Sequence, residues 1–362
     1  MTPDSKHHMN AFQPSQLVSA RKLRTMSLRD LAEKLGQYGI ALSKQAINKY
    51  EMGDTQPSPS VISALAKALN VPERYFYHTS SVSLGNIEFR KLENYAAKER
   101  DRVEELVKIE LSRYLELEAI LNVNSVFEYP AFDNKIENFE DLECYSILLR
   151  DEWQLGTAPI ANVIETLENR DIKVIQIETA VELDGFSTMA NDKYPVIVLN
   201  KSKLDDVQDR KRWTALHELA HLLLDFGDMA HKEVERYCHY FAGAMLFPKD
   251  KFIEEIGQHR TKLSFQELGA FKQEYGMSMQ AIVYRAKELE VISESYYRQF
   301  FFMFNHLGYK IKEPVKYEGK TASSRFDQLL FRALSEEVIT IQKAAELKGK
   351  TVDEFQKTYP FF

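Results

Sequence analysis

Two histidines four residues apart, with a glutamate directly after the first, are the residues of this chain best suited to chemistry: His217-Glu218-Leu219-Ala220-His221. On an α-helix this i, i+4 spacing brings both imidazoles to one face, where each can give a nitrogen to the same metal ion. Glu218 then falls beside the metal rather than on it. There it is placed to take a proton from a metal-activated water and to hand it to a leaving amine. A zinc ion held by two histidines needs a third protein ligand and keeps one position for water. The next helical stretch, from Lys232 to Leu246, offers Glu233, Glu235 and His239, with His231 just before it. Glu235 lies 14 residues past His221, enough chain for a turn and a return to the metal.

A second group of residues is suited to reading nucleic acid. Ser27 opens a stripe of Leu28, Leu31, Ala32 and Leu35, and Ser43 opens another of Ala46, Ile47 and Tyr50, ended by Gly53. Two short capped helices joined by a turn make a helix-turn-helix, with Leu28, Leu31, Leu35, Ile47 and Tyr50 as the shared core. With Ser43 as the cap, Lys44, Gln45 and Asn48 lie on the exposed N-terminal face of the second helix, the face that enters the major groove. Gln and Asn can each make two hydrogen bonds to adenine, and Lys reaches guanine or a phosphate. Arg29, at the start of the preceding helix, is placed to touch the DNA backbone.

The elements around these residues follow from pattern and composition. The chain has 362 residues, enough for two or three domains. Its net charge of −7 is unevenly spread: residues 1–90 hold 11 Lys and Arg against 7 Asp and Glu, a surplus of 4, which leaves −11 on the rest. A basic head on an acidic body suits a DNA-binding module carried by a larger domain. No apolar run is long enough for a membrane helix, and the polar N-terminus has no signal-peptide core. Two cysteines, Cys144 and Cys238, make no disulfide framework, so a cytoplasmic setting is expected.

The pattern predicts a mainly α protein with a small sheet, an α+β fold. Residues 1–14 read as a disordered tail and 15–80 as the DNA-binding head, with helices starting at Ser15, Ser27, Ser43 and Ser60. Residues 81–125 read as a helical connector, with one long helix over 86–122. Its apolar spacing (Phe89, Leu92, Ala96, Val103, Leu106) fits either packing on its own domain or a dimerising coiled coil. The metal-site domain spans 126–290. It includes strands at 172–177, 183–189 and 195–199, of which the last is either an edge strand that pairs with a substrate peptide or buried sheet. Residues 291–362 read as a helical region of open role, and the aromatic stretch at 296–304 reads as core. Cys238 reads as a small buried residue beside the site. His239, His259 and His306 read as surface or packing residues, and His7 and His8 lie in the tail.

Both halves resemble known families. Leu31-Ala32, the run Gln45 to Glu51 with Gly53, then Pro57 or Pro59, Leu65, Ala66, Leu69 and Val71 resemble the XRE (phage-repressor-like) helix-turn-helix family over residues 15–78. One departure is the stretch Gly36 to Leu42, which makes the turn longer than usual. Asp184-Gly-Phe-Ser187, Tyr194 to Asn200, Arg212 to Leu224, Val234 to Ala242 and Met245-Leu-Phe-Pro248 resemble the ImmA/IrrE family of metallopeptidase-like regulators over residues 170–290. In that family the third metal ligand is an acidic residue on the helix leading into the Phe-Ala segment, which falls on Glu235. The resemblance implies a bacterial zinc endopeptidase that cleaves a partner repressor, or itself, in a stress- or phage-linked response. It also implies operator DNA as a partner, and paired half-sites imply a homodimer. Two other readings stay open: a non-proteolytic DNA-binding sensor with a structural or sensory metal, and an antitoxin-like or phage-immunity component. The complete motif favours hydrolysis, because a structural site has no need of Glu218.

Overall fold

The computed structural model describes residues 11–77, 82–85 and 95–360. The fold is mainly α with one small sheet. The chain divides into two compact units, Met1–Leu84 with Phe89–Glu116, and Gly85–Glu88 with Leu117–Phe362.

The first unit holds α1 (Pro14–Leu23), α2 (Leu28–Gly36), α3 (Lys44–Met52), α4 (Pro59–Leu69), a 3-10 turn (Glu73–Tyr77) and most of α5 (Ala97–Ile120). Leu17, Leu31, Leu35, Ile47, Leu65, Leu69 and Phe76 form its core. Ser27 caps α2 in a capping box with Asp30, whose carboxyl is held down at about 2 by hydrogen bonds from the Ser27 backbone and side chain. Two expected starts shift. Pro14 and Pro59 occupy the first turns of α1 and α4, with Ser58 rather than Ser60 capping α4 and no side-chain cap on α1. Proline lacks an N–H, so it suits a helix start and moves the cap ahead of itself. Residues 1–10 of the expected tail lie outside the described residues. Beyond them order begins before residue 15: Phe12 is buried in the core, and the Gln13 amide donates to the Phe76 carbonyl at 2.7 Å.

The helix expected over 86–122 is described as α5, while 86–94, with Phe89 and Leu92, lie outside the described residues. Of the expected stripe Val103 is fully buried, Leu106 is half-buried and Ala96 is exposed, while Val107 and Leu111 continue the buried side of the helix. Lys22 pairs with Asp101 and Lys98 with Asp30, each at 3.2 Å, which fixes the first turns of α5 in the head.

The second unit is built around a three-stranded sheet of β1 (Lys173–Ile177), β2 (Gly185–Ala190) and β3 (Tyr194–Asn200), in the order β1-β3-β2. β1 runs parallel to β3, with Ile175 opposite Val198; β2 runs antiparallel to it, with Ser187 opposite Ile197. The strand suggested as a peptide-pairing edge, β3, is therefore central. Its buried residues Val196 to Leu199 reflect cover on both faces. Before the sheet come α6 (Phe139–Glu152) and α7 (Val163–Glu168). After it come α8 (Lys201–Leu204), α9 (Gln208–Leu223), α10 (His231–Leu246), α11 (Lys249–Ile256), α12 (Phe265–Tyr275), α13 (Met279–Glu288) and α14 (Glu294–His306). Three C-terminal helices complete the unit: α15 (Arg325–Ser335), α16 (Ile341–Leu347) and α17 (Val352–Thr358).

α9 packs on β2, β3 and α10, and α10 packs on α6. Three buried arginines lock this frame by binding main-chain carbonyls, which satisfies those groups away from water. Arg150 of α6 donates to Gly156 at 2.6 Å and also to Ala158 and Met245. Arg212 of α9 donates to Ile160 and to Ala161, the latter at 3.1 Å. Arg285 of α13 donates to Phe247 at 2.8 Å and pairs with Glu143 at 3.0 Å. Gly185 is required where β2 starts: a Cβ there would lie 2.6 Å from the Val198 carbonyl and 3.0 Å from the Thr214 methyl. α14 belongs to the main core through the expected aromatics Phe300 and Phe304. Leu330, Ala333, Ala344, Leu347 and Phe355 of α15 to α17 form a separate cluster with Leu117, at the end of α5. Both cysteines are free, with Cys238 buried in the main core. No helix among the described residues is long and apolar enough to cross a membrane.

Candidate metal centre and nucleic-acid interface

His217 and His221 sit one turn apart on α9, and Glu235 sits in the second turn of α10. The loop between these helices is pinned. Asn134 donates to the Leu223 carbonyl at 2.9 Å, and Asp225 exchanges backbone hydrogen bonds of 2.9 Å with Asn134 and Ile136. This return of the chain brings three donor atoms together. His217 Nε2 lies 3.4 Å from Glu235 Oε2, His221 Nε2 lies 3.2 Å from Glu235 Oε1, and the two Nε2 atoms are 3.3 Å apart. Ligands 2.0–2.1 Å from a zinc ion at tetrahedral angles lie roughly 3.3 Å from one another, so this triangle fits the face of a tetrahedral zinc site. The donor set, two neutral imidazoles and a carboxylate, is also one that zinc takes. The histidine side chains are about 5% exposed and that of Glu235 is 26% exposed, so the cluster opens to solvent on the glutamate side.

Among the described residues no other group of three such side chains converges in this way. Glu233, His231 and His239, the other candidates for third ligand, are exposed on α10 and outside the cluster. Glu218 is buried, and Ser187 of β2 donates to its Oε2 at 3.3 Å. The carboxylate thus faces the sheet from α9, on the residue that follows the ligand candidate His217.

Sequence reasoning gave His239 no part in the chemistry beyond a candidate metal ligand or a surface residue, and it missed Ser187. The His239 ring is centred 4.4 Å from that of His217, and Trp213 Nε1 donates to its Nδ1 at 3.1 Å. An indole N–H only donates, so His239 Nδ1 must accept and, in the neutral ring, the proton sits on Nε2. The signal was available: His239 is four residues past Glu235 and so shares its helix face. Ser187 carried no comparable signal, because its partner is 31 residues away across a strand and a helix.

In the head, the Ala46 amide donates to Ser43 Oγ at 3.2 Å, which caps α3. Lys44, Gln45 and Asn48 are exposed on α3, while Ile47 is buried beneath them. Arg29 is exposed on α2 and makes a surface pair with Glu33 at 3.0 Å. The long turn is built rather than loose: Gly39 takes φ +77°, the Ile40 amide returns to the Leu35 carbonyl at 3.1 Å, and Ile40 and Leu42 pack on the core. Arg21 of α1 grips Glu51 of α3 with two bonds of 2.6 and 2.7 Å and fixes the far end of that helix.

Two family models match this architecture. One, described as Helix-turn-helix, covers residues 17–76; the other, described as IrrE N-terminal-like domain, covers residues 167–287. The chain therefore joins an XRE-type DNA-binding head to a metallopeptidase-like domain of the IrrE kind. No curated protein matches the chain.

Proposed function

We propose that this protein is a DNA-binding regulator whose second unit is a zinc-dependent endopeptidase acting on a regulatory protein partner in a stress- or phage-linked response. The observation that carries the reading is the triangle of His217, His221 and Glu235, with Glu218 buried directly after His217 on the same helix. His217, His221 and Glu235 hold the metal. Zinc, when bound there, supplies Lewis acidity that makes water nucleophilic at neutral pH. Glu218 takes the proton of the attacking water and passes it to the amine nitrogen as the peptide C–N bond breaks. Ser187 holds the Glu218 carboxylate in register for both transfers. His239, its tautomer set by Trp213, offers an Nε2–H to the carbonyl oxygen as negative charge grows on it. In the head, Gln45 and Asn48 read base edges, Lys44 reaches guanine or phosphate, and Arg29 and the N-terminal turn at Ser43 contact the backbone of an operator.

The test is metal content and cleavage measured together on the wild type and Glu218→Gln, with the protein products of neighbouring genes as substrates. Zinc near one per chain in both, with cleavage lost by about 100-fold or more only in the variant, is the expected result. Undiminished cleavage by the variant would reject Glu218 as the base. Bound zinc without cleavage of any partner would favour a non-proteolytic sensor.

A further inference from the structure

β2 has one edge committed to β3 and one facing outward. This strand carries Ser187, whose side chain bonds Glu218, the neighbour of His217 on α9. Two residues further along the strand, roughly 7 Å, the Met189 carbonyl accepts a hydrogen bond of 2.7 Å from the Gly85 amide. Thr188 Oγ1 donates to the Gly85 carbonyl at 3.4 Å. A single residue from far back in the chain thus makes one main-chain bond to this edge, of the kind a strand-adding peptide makes, and accepts a second from the Thr188 side chain. The approach is close: a Cβ on Gly85 would lie 3.0 Å from the Met189 carbonyl oxygen, so this place takes glycine without strain. The exposed ring of Tyr129 flanks it, with its hydroxyl 3.6 Å from Met189 Sδ.

We propose that the outer edge of β2 is a docking site for an extended peptide backbone with glycine opposite Met189, and that Gly85 of the connector is its resident occupant. A peptide substrate must displace this built-in competitor before it can lie along β2 past Glu218. The proposal rests on the reading of the neighbouring centre as a peptidase and adds to it the mode of substrate entry. Main-chain hydrogen bonds supply the affinity, so the edge accepts varied sequences, and the close approach at Met189 supplies the selection for glycine.

The test uses the full chain as Glu218→Gln loaded with zinc, so that binding is read without cleavage. The probe is a fluorescent peptide with the sequence of residues 79–91. Gly85→Pro removes the amide donor, and a tethered competitor has a high effective concentration. The variant should therefore bind the probe at least about tenfold more tightly than the chain with Gly85 intact. In the unchanged connector, the Gly85 amide should exchange slowly with solvent and lose that protection when the probe saturates. Equal affinity in the two chains, absence of binding by both, or an unprotected Gly85 amide would each overturn the proposal. The exchange measurement stands even where Gly85→Pro folds poorly. A wild type that cleaves nothing would defeat the peptidase reading and leave these binding results intact.

Discussion

Trp213 donates to Nδ1 of His239 and so places the proton of the neutral ring on Nε2. In ¹⁵N spectra of the neutral ring, His239 Nδ1 should resonate as an unprotonated nitrogen and Nε2 as a protonated one. Trp213→Phe should return the ring to a mixture of tautomers and leave zinc content unchanged. A protonated Nδ1 in the wild type would remove His239 from the proposed mechanism. The His-Glu-x-x-His spacing was legible in the sequence because a helix turns that spacing directly into a shared face. Spacing offered Glu235 as one of several candidates and only the resemblance selected it, since the return of α10 depends on loop bonds at Asn134 and Asp225 that no periodicity encodes.

Helix α3 shows what a single element contributes. Ser43 caps it, and its exposed face is Lys44, Gln45 and Asn48. Ser43→Ala should cost the head about 1 kcal/mol of stability, read by denaturation. Gln45→Ala should weaken operator binding by about 1–3 kcal/mol and relax preference at one base pair. Arg29→Ala should weaken binding to all sequences alike, with a shallower salt dependence. Equal losses on specific and random DNA for Gln45→Ala would show that α3 does not read bases. Caps and apolar stripes made the head helices readable, because each is a local signal. The place of β3 in the sheet was not readable. Five apolar residues in a row fit a buried strand anywhere, and strand order comes from pairings distant in sequence. The cap at Ser58 was obscured by Ser60, although Pro59 between them marks the helix start.

Over the whole molecule, pH acts through carboxyl groups that folding buries. Glu168, at the end of α7, is pushed up to about 7 by burial, against the opposing pull of Ser323 and Arg325. Glu288 of α13 is also raised to about 7, again by burial. The unfolded chain releases these protons near 4.5, so between 4.5 and 7 the folded state holds more protons than the unfolded one. Their contribution to stability is full below that window and is lost as the pH rises through it, by at most on the order of 3 kcal/mol per group. Urea midpoints of the second unit should fall between pH 4.5 and 7, and Glu168→Gln should flatten part of that fall. A midpoint that rises through the window would refute the assignment. Finally, the head and the second unit each enclose a hydrophobic core of their own. In a calorimeter the chain should absorb heat in more than one step, and its ligands should act separately. Zinc removal should lower the endotherm of one unit, operator DNA should raise that of the other, and no single melting temperature describes the protein.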